Sequence, residues 1–215
     1  MSTALVLFSG GQDSTTVLAK ALSENSKTEA ICFDYGQRHK IEIEQAQKIA
    51  TLAHVPITII DISLLSQLTT NALTRDLPIE TKPGALPSTY VEGRNLVFLT
   101  FAAIFAKNKS IEHLYAGMCE TDYSGYPDCR EVFVQSTQQT LRLAMDYPFT
   151  LHTPLMHLTK AETVLLMQTL GKREWYAHTH TCYEGTRPAC GQCPACRLRL
   201  KGFQDAGISD PLIYL

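Results

Sequence analysis

Ala4-Leu5-Val6-Leu7-Phe8-Ser9-Gly10-Gly11-Gln12-Asp13-Ser14 runs directly into Thr15-Thr16-Val17-Leu18-Ala19-Lys20-Ala21-Leu22. Five apolar residues predict a buried strand, two adjacent glycines a sharp turn, and the segment after them a helix, so the stretch reads as a strand delivering a glycine turn to a helix start. Such a unit begins an α/β fold. Adjacent glycines let backbone amides approach an anion, and the helix N-terminus adds unpaired N–H donors and a favourable dipole. Ser9 and Ser14 contribute hydroxyls to the same cradle. Asp13 would repel a bare phosphate, so its place is on Mg²⁺, a hard cation that takes oxygen ligands and travels with phosphates, or in organising the loop. The loop therefore predicts a metal nucleotide as ligand. It lacks the lysine and the spacing of a Walker loop.

Outward from this unit, strand-like runs at 4–8, 29–33 and 56–61 alternate with helical patterns at 14–23 and 38–53. That alternation predicts a Rossmann-like, doubly wound parallel sheet with crossover helices. Residues 63–90 break into Thr, Pro and Gly over a length that suits a functional lid or substrate loop, with a plain surface excursion as the alternative. The charge-free run from Leu96 to Ala106 reads as a buried helix, and Ile111 to Met118 as a fourth strand. A helix is expected over 129–146, and Thr159-Lys160-Ala161-Glu162 has capping-box spacing ahead of an apolar run, which starts another helix at Thr159. We expect a nucleotide-binding α/β domain over 1–176 and a metal-binding C-terminal segment, 177–215, packed on it.

A chain of 215 residues can bury a sizeable core without disulfides. Its 19 Lys plus Arg against 21 Asp plus Glu argue against a general nucleic-acid surface and favour a small-molecule substrate. The apolar run before Ser9 is too short for a signal-peptide core, and no apolar stretch reaches membrane-spanning length. Seven cysteines without a secretion signal point to a reducing, cytoplasmic setting in which thiols serve metals or chemistry.

Cys182 is followed by Cys190, Cys193 and Cys196, the last three in the segment Cys-Gly-Gln-Cys-Pro-Ala-Cys. Cys-x-x-Cys spacing lets sulfurs converge on one ion, and four thiolates predict a closed, structural Zn²⁺ site with no open position for catalysis. An iron–sulfur cluster uses the same ligands and is the alternative. Cys32, inside a strand pattern, reads as a small buried hydrophobe. His178 and His180 read as local packing or polar groups of a site.

Asp34-Tyr35-Gly36-Gln37-Arg38-His39 crowds polar groups at the end of the second strand, where ligands of open α/β sheets sit. Arg94-Asn95 opens the buried helix and Lys160 stands in the first turn of the capped one, so both cations could face phosphates, or water as ordinary surface charges. The loop Glu120-Thr121-Asp122-Tyr123-Ser124-Gly125-Tyr126-Pro127-Asp128-Cys129-Arg130 is acidic and aromatic. A carboxylate there could accept the paired donors of a guanine-like base while tyrosine covers its face, the alternative being a turn with Asp128 as a helix cap.

The Ser-Gly-Gly-x-Asp-Ser loop resembles that of the PP-loop ATP pyrophosphatases. Together with Asp-Tyr-Gly-Gln-Arg-His, Gly-Arg-Asn, Asp-Tyr-Ser-Gly-Tyr-Pro-Asp-Cys-Arg, Thr-Pro-Leu, Leu-Thr-Lys, Thr-Cys-Tyr-Glu-Gly and the cysteine segment, nearly the whole chain is similar to the 7-cyano-7-deazaguanine synthases. The resemblance implies an adenine-nucleotide α-hydrolase-like fold and a C–N ligase of queuosine biosynthesis. Such an enzyme converts 7-carboxy-7-deazaguanine and ammonia to the nitrile through an adenylated acid and an adenylated amide. It implies ATP, Mg²⁺ and one structural Zn²⁺ as cofactors, and a homodimer without nucleic-acid or membrane partners. Carried onto this chain, Phe8, Ser9, Gly10, Gly11, Gln12, Asp13, Ser14, Thr15, Thr16, Val17 and Leu18 form the ATP site. Lys160, Arg94 and Asp13 would serve catalysis, Asp34, Asp122, Tyr123 and Asp128 the substrate, and Cys182, Cys190, Cys193 and Cys196 the metal. Two rivals compete: a PP-loop tRNA-modifying enzyme of the thiolase or lysidine synthase type, and a non-catalytic zinc interaction module that leaves the phosphate loop unused.

Overall fold

The computed structural model describes residues 2–80, 85–121 and 125–215. Five parallel strands, β1 (Thr3–Leu7), β2 (Lys27–Asp34), β3 (Ile57–Asp61), β4 (His113–Tyr115) and β5 (Thr150–His152), form one sheet in the order β3-β2-β1-β4-β5. Leu5 pairs with Glu29 on one side and Leu114 on the other, which puts β1 at the centre. Parallel strands are covered on both faces, so they read as continuous apolar runs rather than as alternation; β2 is buried from Thr28 to Phe33.

Helices α1 (Gln12–Glu24), α2 (Ile41–Leu52), α6 (Lys160–Thr169) and α7 (Pro194–Asp205) contribute to one core, with Val17, Leu18, Ile49, Val164, Met167 and Phe203 packed against Ala4 and Val6. Helices α4 (Arg94–Asn108) and α5 (Glu131–Met145) cover the opposite face, where Leu99, Ala103 and Leu141 meet Leu5, Ile31 and Leu114. The chain leaves β1 toward β3 and then returns to β4 on the other side of β1. That reversal is the topological switch point, at whose carboxyl ends open α/β sheets bind ligands.

The predicted elements fall where the periodicity places them, with three differences. The fourth strand is confined to His113–Tyr115, because only this stretch lies between the ladders of β1 and β5. Helix α4 is buried on one side only: Leu96, Phe101 and Ile104 are each more than 40% exposed in the single chain. Within 63–90, a short helix α3 (Leu65–Leu68) precedes a packed excursion that buries Asn71, Ala72 and Thr89 and ties Arg38 N–H to the Leu73 carbonyl at 2.8 Å. Strand β5, a 3-10 helix over Arg173–His178 and α7 complete the chain without a counterpart in the sequence pattern. Among the described residues no helix is long and apolar enough to cross a membrane.

Candidate functional site

At the switch point the structure holds a cavity of about 350 Å³. Its wall draws on the β1–α1 loop (Phe8, Ser9, Gly11, Gln12, Asp13, Ser14), the ends of β2 and β4, the start of α4, Lys160 of α6, and the segment His180 to Tyr183.

The loop is shaped by its own hydroxyls. Ser9 and Ser14 Oγ atoms lie 3.1 Å apart, Ser9 N–H donates to Ser14 Oγ at 3.3 Å, and Ser14 Oγ donates to the Gly11 carbonyl at 3.2 Å. Gly10 has φ +77°, and a Cβ there would stand 2.6 Å from both Ala46 N and Glu42 O, so glycine is required for the loop to lie on α2. Gly11 is the N-cap of α1 and supplies no side chain to it, which leaves the first-turn N–H groups for a ligand. Lys160 Nζ donates to Asp13 Oδ2 at 2.5 Å, while the buried Asp13 Oδ1 has no partner. That oxygen suits a cation arriving with a phosphate. The capping box at Thr159, with Glu162 N–H donating to Thr159 Oγ1 at 3.2 Å and Thr159 N–H to Glu162 Oε2 at 2.8 Å, fixes where α6 starts and hence where Lys160 points.

A second group in the wall is aromatic and cationic. Phe33 and Phe98 stack at 4.7 Å, and the Arg94 guanidinium lies 5.7 Å from the Tyr35 ring and 5.9 Å from the Phe98 ring. Burial pushes the Tyr35 hydroxyl up to about 12, and Tyr183, hydrogen-bonded to Tyr126, lies well above the usual range for the same reason. Burial also raises the Cys32 thiol to about 12, so it stays protonated and is no nucleophile at neutral pH. Between the groups stands Glu42, whose carboxyl burial pushes up to about 7 against the opposing pull of Arg94.

Several buried polar atoms of wall residues lack partners among the described residues: Gln12 Nε2, Asp13 Oδ1, His39 Nε2, Arg94 Nε, His180 Nε2 and Thr181 Oγ1. Buried polar atoms are normally satisfied, so a cluster of orphans facing one cavity fits a polar ligand that completes them.

Not every predicted residue meets the cavity. Gly10 backs onto α2, and Thr15, Thr16, Val17 and Leu18 are fully buried behind the loop, Thr16 Oγ1 lying 2.6 Å from Tyr176 Oη. Asp34 turns to Lys40 Nζ at 2.6 Å and accepts from Gly36 N–H at 3.3 Å. Asp128 accepts from Asn95 N–H through Oδ2 at 3.2 Å and through its carbonyl from Asn95 Nδ2 at 3.0 Å, so it caps α4. Burial raises its carboxyl. Asp122 and Tyr123 lie outside the described residues. Glu42 and Arg199 belong to the wall and carry no motif of their own; the polar face at the start of α2 was the one signal for Glu42.

The four cysteines converge. The Sγ atoms of Cys182, Cys190, Cys193 and Cys196 all lie within 4.8 Å of one another, and Cys190 to Cys196 is 4.0 Å. Tetrahedral thiolates on zinc stand about 3.8 Å apart, given Zn–S bonds of about 2.3 Å. Backbone N–H groups of Cys190, Gln192 and Cys193 point at the sulfurs at 3.3–3.4 Å, the second-sphere donors that thiolate ligands require. The donor set fits a metal ion.

A family model described as queuosine biosynthesis protein QueC matches residues 3–207. The 7-cyano-7-deazaguanine synthase of Chromobacterium violaceum is 53% identical over 217 residues, covering 98% of this chain and 92% of its own. Among solved structures, a 4-thiouridine synthetase in complex with RNA and ATP aligns with 96% of this chain and 50% of its own at 16% identity and TM-score 0.52. The NH3-dependent NAD synthetase of Campylobacter jejuni aligns with 80% of this chain and 65% of its own at 18% identity and TM-score 0.46. At this identity the 4-thiouridine synthetase likeness shows a shared fold.

Proposed function

The chain belongs to the QueC family of queuosine biosynthesis proteins, and from this membership and the cavity we infer that it is a 7-cyano-7-deazaguanine synthase, an ATP-dependent C–N ligase. The observation that carries the reading is the meeting, in one cavity, of the Ser9–Ser14 loop, the Asp13–Lys160 pair and the Arg94 aromatic group.

A carboxylate accepts ammonia poorly until its oxygen becomes a leaving group. In this reading the acid attacks the α-phosphorus of ATP, pyrophosphate leaves into the loop of Ser9, Gly11 and Ser14, and ammonia displaces AMP to give the amide. The amide oxygen is then activated in the same way, and loss of AMP gives the nitrile. One adenylating site serves twice. The N–H groups at the start of α1 receive the departing pyrophosphate. Lys160 offsets charge that develops on the phosphates, and Asp13 holds it in position. Mg²⁺, held by Asp13, would neutralise phosphate charge, and Zn²⁺ is the ion that the four cysteines would hold. Arg94, Tyr35 and Phe98 offer a cationic and aromatic face to the planar base and its carboxylate. Seven cysteines without a disulfide suit a cytoplasmic setting, and the exposed Leu96, Phe101 and Ile104 of α4 support a homodimer. A free base is preferred over tRNA because the chain carries a net charge of −2.

Protein incubated with 7-carboxy-7-deazaguanine, ammonium, Mg²⁺ and ATP is expected to release pyrophosphate and yield the nitrile by mass spectrometry. Folded, metal-loaded protein that gives no product overturns the reading. Pyrophosphate release with tRNA as the sole acceptor would move it to the tRNA-modifying class.

A further inference from the structure

The synthase reading leaves Glu42 without a task. It stands in the first turn of α2 and lines the cavity, and its main-chain oxygen packs against Gly10 of the phosphate loop. It shares the cavity wall with Cys32 from β2, Tyr35 just beyond it, Arg94 from α4 and Tyr183 from the C-terminal segment. His39 precedes it in the same wall, and Asp13 and Lys160 flank the loop. Cys32, Tyr35 and Tyr183 are held neutral by burial, so Arg94 is the charge that acts on Glu42. No described residue donates a hydrogen bond to the Glu42 carboxylate or lies in ion-pair contact with it. A carboxylate kept for structure would be expected to have both. This one is placed to exchange protons with whatever enters.

Such an acceptor is what the reaction demands, and with Asp13 paired to Lys160 and assigned to the cation, the phosphate loop, Lys160 and Arg94 do not supply it. Nitrogen enters as ammonium and leaves in a nitrile with none of its four protons. We propose that Glu42 is the general base for this nitrogen, an assignment that rests on the synthase reading.

In the first half, Glu42 takes a proton from ammonium. The freed ammonia attacks the acyl carbon, the C–N bond forms, the C–O bond to AMP breaks with its electron pair leaving on AMP, and nitrogen gives a second proton to Glu42, emptied to solvent after the first. In the second half, the amide oxygen attacks the α-phosphorus, pyrophosphate leaves, and nitrogen gives a third proton to Glu42, leaving the O-adenylated imidate. Glu42 then takes the last N–H proton while that electron pair completes the C≡N bond and AMP leaves. Between these events Glu42 returns its proton to solvent, which a carboxyl titrating at about 7 does readily.

The test separates the nitrogen steps from adenylation. In Glu42→Gln, pyrophosphate release with the acid, ATP and Mg²⁺ but no ammonium is expected to fall far less than nitrile formation, because adenylating a carboxylate removes no proton from nitrogen. Amide and nitrile formation should fall about 10²–10⁴-fold. The native rate should climb with pH to a plateau above about 7, the residual rate of Glu42→Gln should lack that inflection, and Glu42→Asp should regain part of the rate. Protection by ATP against thermal unfolding reports that both variants fold and bind nucleotide. Nitrile at the native rate from Glu42→Gln, a retained inflection, or an equal loss of ammonium-independent pyrophosphate release would each overturn the assignment. If the native chain makes no nitrile, the synthase reading fails, and this role with it.

Discussion

Glu42 illustrates how a single residue can serve a site at the expense of the fold. Its carboxyl is pushed from 4.5 to about 7 by burial, so the folded chain holds this proton more tightly than the unfolded chain does. Below the unfolded value both states are protonated and nothing is lost. As pH rises from 4.5 to 7, the unfolded chain gives up the proton first, and stability falls with pH across that window; above 7 the cost is complete. Glutamine keeps the shape and carries no charge. Glu42→Gln should therefore unfold at a higher temperature than the native chain at pH 8, with the gap closing as pH falls toward 4.5. Calorimetric scans at several pH values check this, and a variant less stable than native at pH 8 would contradict it.

The elements show which parts of such a site a sequence can reveal. The β1–α1 loop was legible because strand, glycine turn and helix are local features, and so was the start of α6, because a capping box has a spacing that can be read. Helix α7 was hidden for a physical reason. Its buried face is Cys196, Arg199, Gly202 and Phe203, which has helical spacing but only one large apolar side chain, so no hydrophobic period announces it. Arg199 is satisfied from outside the helix, by Asp210 at 2.7 and 2.8 Å and by the Tyr176 carbonyl at 3.1 Å. Glu42, for its part, joins the cavity only once α2 has docked. The hidden helix nonetheless sets a predicted one: a Cβ on Gly202 would come within 2.6 Å of Lys160 Cβ and 3.2 Å of its carbonyl carbon, so glycine lets α7 lie against the start of α6. Gly202→Ala sets two effects against each other. Helix propensity alone would stabilise by up to about 1 kcal/mol, whereas overpacking costs about 1–3 kcal/mol. The contact with Lys160 main-chain atoms decides for the second. We expect an unfolding temperature lower by several degrees and slower pyrophosphate release, as Lys160 shifts from Asp13. A higher unfolding temperature would show that the helices do not approach this closely.

At the scale of the molecule, the four-cysteine cluster is joined to the phosphate loop by a short covalent and hydrogen-bonded path. His180 N–H donates to the Gly10 carbonyl at 3.1 Å, two residues before Cys182, and Thr181 and Tyr183 enter the cavity wall. On the far side, Tyr214 packs on Gly191 and pairs with Ala189, and its hydroxyl donates to Asp210 at 2.6 Å, the carboxylate that holds Arg199. A metal ion in the cluster would clamp both ends of this segment at once, adding to the contacts of Tyr214 and to the Arg187–Glu44 pair at 2.6 Å. The fully buried members of this small cluster, Cys182, Ala189, Cys193 and Cys196, are all small, and the larger side chains packed on them, Tyr183, Leu212 and Tyr214, are only partly buried, so burial alone holds the loop weakly. Removing the ion should then loosen the segment and release His180 from Gly10, so stability and nucleotide binding should fall together even though none of the four cysteines belongs to the phosphate loop. Metal analysis of the purified protein is expected to give one zinc per chain. Treatment with a strong chelator should lower the unfolding temperature and weaken ATP binding in parallel, and added Zn²⁺ should restore both; Cys196→Ser should reproduce the loss without recovery. Stoichiometric iron with visible absorbance would replace zinc by a cluster, and metal-free protein that binds ATP as before would sever the link between tail and loop.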